Sequence, residues 1–177
     1  MLVGSIALPD GTRVRGRGRS QPLPEGPLPD FGLYLGREPR GSRDWRPDWP
    51  AEWVAWRDFG TPRGSASAAA AIRRAYDVAR SGVGLEIACD GGTGRTGTVI
   101  ACMAILAGHP ASDALDWTRA NYRPRAVETR ANDAGSPGSP RMTQLPTSSR
   151  DSSKSRVPPA AAIRFDMSTG GLLLNPC

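Results

Sequence analysis

The segment Cys89-Asp-Gly-Gly-Thr-Gly-Arg95-Thr96-Gly97 constrains this chain more than any other. Residues 85–88 before it read as a short buried strand. Residues 96–107 after it are apolar nearly all round (Val99, Ile100, Cys102, Met103, Ile105, Leu106) and read as a buried helix. A buried strand that turns through glycines into a buried helix is a unit of an α/β fold. The expected architecture is a small, mostly parallel central sheet flanked by helices on both faces, with the loop between strand and helix at the sheet's carboxyl edge.

The same segment carries chemistry. Backbone N–H groups converging at a helix N-terminus can cradle a phosphate dianion. Gly91, Gly92 and Gly94 keep that cradle unobstructed, and Asp90 and Thr93 complete it. Arg95 opens the helix, where its planar fork can grip two phosphate oxygens. Cys89 lies beneath the cradle's centre, and the amides, the helix dipole and Arg95 all favour a thiolate there. Thr96 is placed to hydrogen-bond the sulfur and help it leave. The departing oxygen needs a proton, which calls for an acid on a closing loop. Asp58 in Trp56-Arg57-Asp58-Phe59-Gly60 fits that role. Asp30, Asp44 and Asp48 head no comparable loop.

Elsewhere, Pro9-Asp10-Gly11 is a turn between extended residues 3–8 and 12–15. Residues 16–30 and 37–52 read as loop, and 31–35 as a buried strand. A helix capped by Ser65 or Ser67 runs to about residue 80, and one capped by Ser112 runs to about 122. After Thr129 the chain becomes rich in Ser, Pro, Gly and Ala with no sustained period. This divides it into a domain over 1–129, with hairpin and loop at 1–30, and a disordered or atypical tail over 130–177.

Composition narrows the function classes. Three cysteines without a CxxC pair form neither a disulfide framework nor a zinc ribbon, and a single histidine argues against a His-based metal site. No metal and no cofactor is expected. The net charge of +6 is carried by scattered arginines, read as a solvated basic surface. No stretch interleaves basic and stacking aromatic residues, so no nucleic-acid partner is expected. No run of about 18 apolar residues exists, so no membrane partner is expected either. A cytoplasmic setting follows. Gly92-Thr-Gly94-Arg-Thr-Gly97 also matches GxGxxG, the mark of a dinucleotide-binding domain. The acid that motif requires should end a second strand, whereas Asp113 and Asp116 fall in a predicted helix.

The segment from Ile87 to Thr98 resembles the signature of the protein tyrosine and dual-specificity phosphatase superfamily, in its small bacterial type. Trp56-Arg57-Asp58 resembles that family's general-acid loop, and residues 126–129 the start of its helix after the active site. The resemblance covers roughly residues 30–129. It implies hydrolysis of a phosphorylated protein or small phosphomonoester through a phosphocysteine intermediate, with Asp58 later activating water. The chain departs from the family at three places. Ala88 stands where the family usually has His, and Arg57 where its acid loop has Pro. Arg130-Ala-Asn-Asp replaces a glutamine and a final helix. These departures define the alternative, a catalytically impaired phosphate-binding pseudophosphatase.

Overall fold

The computed structural model of the chain describes residues 1–127 except 43 and 59, and the backbone of 162–165 and 172–175. The turn at Pro9-Asp10-Gly11 closes a hairpin in which β1 (Ser5–Ala7) pairs antiparallel with β2 (Arg13–Gly18). Asp10 stabilises it by accepting bonds from the Thr12 amide and hydroxyl, each at 2.9 Å. β2 runs on to Gly18 through residues that read as loop, because residues 16–18 pair in parallel with residues 87–89. β3 (Phe31–Leu35), β4 (Ala51–Val54) and β5 (Leu85–Cys89) complete a five-stranded sheet of order β1-β2-β5-β3-β4, parallel except at β1. β4 was not legible as a strand. Its residues follow a Pro- and Trp-rich stretch, and parallel pairing with β3 is a long-range effect that local pattern does not carry.

Three helices flank the sheet: α1 (Ser65–Arg80), α2 (Gly94–Leu106) and α3 (Ala114–Asn121). Neither expected serine cap forms. Gly64, at φ 76°, is the N-cap of α1, and Ser67 Oγ donates back to its carbonyl at 2.8 Å. Asp113 is the N-cap of α3, again without a side-chain cap bond.

β5 is central and buried along its whole length, Glu86 included. Residues paired across parallel strands share a face. One face therefore carries Val14, Leu33, Leu35, Leu85, Ile87 and Cys89, and these form a single core cluster with α1 (Ala71, Ile72, Ala75) and α2 (Val99, Ile100, Met103), onto which Trp117 of α3 also packs. Each fully buried Leu or Ile there contributes roughly 1.5–3 kcal/mol. Helices were expected on both faces. Among the described residues the second face instead carries a buried charged cluster. Arg15 and Arg17 are 2% and 5% exposed, and Glu86 between them is fully buried. Tyr34 donates to Glu86 Oε1 at 3.1 Å, and Trp49 Nε1 donates to the Tyr34 hydroxyl at 3.0 Å. These two arginines correct the reading of the basic residues as solvated surface.

Most of the stretch 130–177, expected as a tail, lies outside the described residues. Within it β6 (Ala162–Phe165) and β7 (Leu172–Asn175) pair antiparallel in a separate two-stranded ribbon. Among the described residues no helix is long and apolar enough to cross a membrane.

Candidate active site

β5 delivers Cys89 to the carboxyl edge of the sheet, and α2 begins five residues later, at Gly94. The thiol is 3% exposed. Gly92 N–H donates to its Sγ at 3.2 Å. Gly92 holds φ 73°, and a Cβ there would lie 2.4 Å from the amide nitrogen of Gly18, so only glycine fits. Gly91 meets no such obstruction.

The carbonyls of the loop are taken up one after another. Cys89 O accepts from Arg19 N–H at 2.8 Å, and Asp90 O from Ser20 N–H at 3.2 Å and Ser20 Oγ at 2.8 Å. Gly91 O accepts from Arg123 Nη1 at 3.2 Å, Gly92 O from the Tyr122 hydroxyl, and Thr93 O from Gly97 N–H at 3.0 Å. In a trans peptide the following N–H points opposite to the carbonyl. Carbonyls anchored on neighbouring segments thus turn amides the other way, as Gly92 N–H does towards the sulfur. Such successive amides form an anion-binding concavity.

Arg95, 7% exposed, is fixed on one side. Its Nη1 donates to Leu35 O at 3.2 Å and Trp56 O at 3.0 Å. Its Nη2 lies 3.1 Å from both Asp58 Oδ1 and Asp90 Oδ2. Its Nε is buried without a hydrogen-bond partner. The edge formed by Nε and Nη2 is the fork that binds an oxyanion side-on, and an orphaned buried donor costs about 1–3 kcal/mol until a ligand fills it.

Asp58 is exposed, in a loop drawn together at its base: Trp56 bridges Pro62, and Trp56 Nε1 donates to Gly60 O at 2.7 Å. Asp58 and Arg95, 37 positions apart by their numbers, thus meet through a loop whose Trp56 carbonyl also receives Arg95. Thr96 is placed differently from expectation. Its Oγ1 accepts the Cys89 amide at 3.0 Å, so it holds the backbone of Cys89 rather than the sulfur. Thr93 Oγ1 accepts from Arg123 Nη1 at 3.3 Å. Ala88 is fully buried and pairs in register with Arg17 and Tyr34, so its small side chain faces the charged cluster.

Sequence reading missed Arg19, Ser20, Tyr122 and Arg123. The ring of Tyr122 lies where a side chain on Gly16 would be, 2.5 Å from the position of a Cβ. Burial first, and the nearby Cys89 in addition, push its hydroxyl up to about 12 against an opposing effect of Arg123, so it is a neutral donor to Gly92 O at ordinary pH. For Asp90, burial pushes its carboxyl up, but Arg19 and Arg95 together outweigh burial and hold it below the ordinary carboxylate value. Cys102 in α2 is pushed up to about 11 by burial and belongs to the core. Among the described residues no group of three or more His, Cys, Asp or Glu side chains could hold a metal ion.

The fold is that of a solved protein tyrosine phosphatase, described as the crystal structure of Tk-PTP in the active form. The TM-score is 0.54 at 22% identity, over 73% of this chain and 91% of that one. At this identity the likeness establishes the fold alone. No family model and no curated protein matches the sequence.

Proposed function

We propose that this chain is a cysteine-dependent phosphatase that hydrolyses phosphomonoesters through a phosphocysteine intermediate, its catalytic domain spanning residues 1–129. The Cys89 thiolate attacks phosphorus, and the bond from phosphorus to the leaving oxygen breaks. Asp58 gives its proton to that oxygen. The Asp58 carboxylate then takes a proton from water, the resulting hydroxide attacks phosphorus, and the P–S bond breaks to release phosphate and regenerate the thiolate. The amides of residues 90–94 and the fork of Arg95 hold the equatorial oxygens throughout. Thr96 steadies the backbone of Cys89.

The observation that carries this reading is the Nε–Nη2 edge of Arg95, which no backbone carbonyl takes up. Its buried Nε has no partner and its Nη2 meets two carboxylates, Asp58 and Asp90, beside the loop in which the Cys89 sulfur already accepts an amide. Phosphorylated protein, with phosphotyrosine or mixed specificity, is the substrate class we favour. The loop 90–94 has no lysine and carries an acidic residue, which disfavours a highly anionic phosphoinositide.

One arrangement favours a second reading, a phosphate-binding module without turnover. Both Asp58 and Asp90 sit on the clamp of Arg95, so the site carries its own anions. Steady-state hydrolysis of an aryl phosphate in EDTA separates the two. The phosphatase reading expects turnover by the wild type, lost in Cys89→Ser, with phosphate binding retained because the cradle is largely backbone. An undiminished rate in Cys89→Ser removes it, and phosphate binding with no wild-type turnover favours the second reading.

A further inference from the structure

Asp90 is an unexpected charge for a phosphate loop. Its Oδ2 lies 3.1 Å from Arg95 Nη2, on the edge an oxyanion would take, so the carboxylate competes with the substrate there. Its exposure to solvent, 61% of the side chain, does not by itself remove it from that edge.

A second arginine binds the same carboxylate through its other oxygen. Arg19 Nη2 donates to Asp90 Oδ1. Arg19 is itself held firmly: its amide donates to Cys89 O at 2.8 Å, and its guanidinium lies 5.1 Å from the ring centre of Trp53. Its turn is tied by Arg17, whose Nη1 donates to Gly18 O at 3.0 Å and Gln21 O at 2.7 Å. The guanidinium groups of Arg19 and Arg95 converge at Gly36. A Cβ there would lie 3.2 Å from Arg19 Nη2 and 3.5 Å from Arg95 Nη1.

We propose that Arg19 is a positioning residue that anchors the Asp90 carboxylate through Oδ1 and offsets its charge, so that the loop can accept a phosphate dianion. The inference rests on the oxyanion reading of the site given above. It makes Asp90 a brake on phosphate affinity, with Arg19 as the residue that neutralises it.

The test is a double-mutant cycle of Arg19→Gln and Asp90→Asn in the full chain. Inorganic phosphate Kd is measured by calorimetry, KM and kcat with an aryl phosphate, and Tm as a control on folding. Arg19→Gln should weaken phosphate and raise KM on the order of tenfold, the scale of one charge a few ångströms from a solvated anion, with a smaller effect on kcat. Adding Asp90→Asn should restore both values to those of Asp90→Asn alone. If Arg19→Gln leaves Kd unchanged, or weakens phosphate equally with and without Asp90→Asn, the inference is overturned. A Kd series that follows expectation with no turnover in any of the four proteins supports the inference and overturns the phosphatase reading. No phosphate binding in any of them overturns both.

Discussion

Arg95 distributes its donors unevenly, and that asymmetry defines what the site can do. Nη1 is committed to two backbone carbonyls, which fixes the plane of the guanidinium, while Nε and Nη2 are left for a ligand and two carboxylates. Of those carboxylates, Asp58 is the one on a separate loop, and it is the proposed proton donor. A general acid matters most when the leaving group is poor. Asp58→Asn should therefore slow a tyrosine-like phosphate by roughly 10²–10⁴, and an aryl phosphate with a very acidic phenol far less. Equal slowing of both substrates, read from kcat/KM, would remove Asp58 from the role. Cys89, Arg95 and Asp58 were legible because each sits in a short motif whose residues are consecutive. Arg19 and Arg123 were not. Arg19 reaches Asp90 across 71 positions and Arg123 reaches Gly91 across 32, and those contacts exist only once β2 has paired with β5 and α3 has packed on α2.

At the scale of elements, the phosphate loop is shaped from outside as much as by its own glycines. The end of β2 and the turn after it back onto one side, and the residues following α3 onto the other. Gly92 is where this packing is tightest. Its φ of 73° strains any other residue, and its would-be Cβ meets backbone at Gly18 and Arg17, which cannot move aside cheaply. Gly92→Ala should cost about 1–3 kcal/mol in denaturant unfolding and weaken phosphate binding, whereas Gly91→Ala, with open space at its Cβ, should cost clearly less. Equal losses would mean that the Gly18–Gly92 contact does not shape the loop. The hairpin, β3, β5 and all three helices were readable from turn residues and apolar period. The ends were not. Gly16 and Gly18 look like loop glycines in sequence, yet they are strand residues whose missing side chains admit Tyr122 and Gly91.

Over the whole molecule the sheet has two unlike faces. One is apolar and carries the helices; the other is a buried cluster in which a single carboxylate, Glu86, faces Arg15 and Arg17. Removing Glu86 should cost about 3–5 kcal/mol, because both arginines are then left buried and unpaired. The exposed pair Arg74–Glu52 belongs to a class worth only about 0–1 kcal/mol. The buried cluster was invisible in the sequence, where Arg15 and Arg17 alternate as a solvated strand edge would. It also reaches the site, because Arg17 ties the turn that presents Arg19. The central strand ends at the sulfur of Cys89, and the central claim is that this atom is phosphorylated during turnover. The most direct measurement is rapid acid quench of the protein with an activated aryl phosphate, followed by mass spectrometry of the peptide containing Cys89. The account predicts a phosphoryl adduct on Cys89, absent from Cys89→Ser and more abundant in Asp58→Asn, where the water-activating carboxylate is gone. Turnover with no adduct at Cys89, or with the phosphoryl group on another residue, would contradict it.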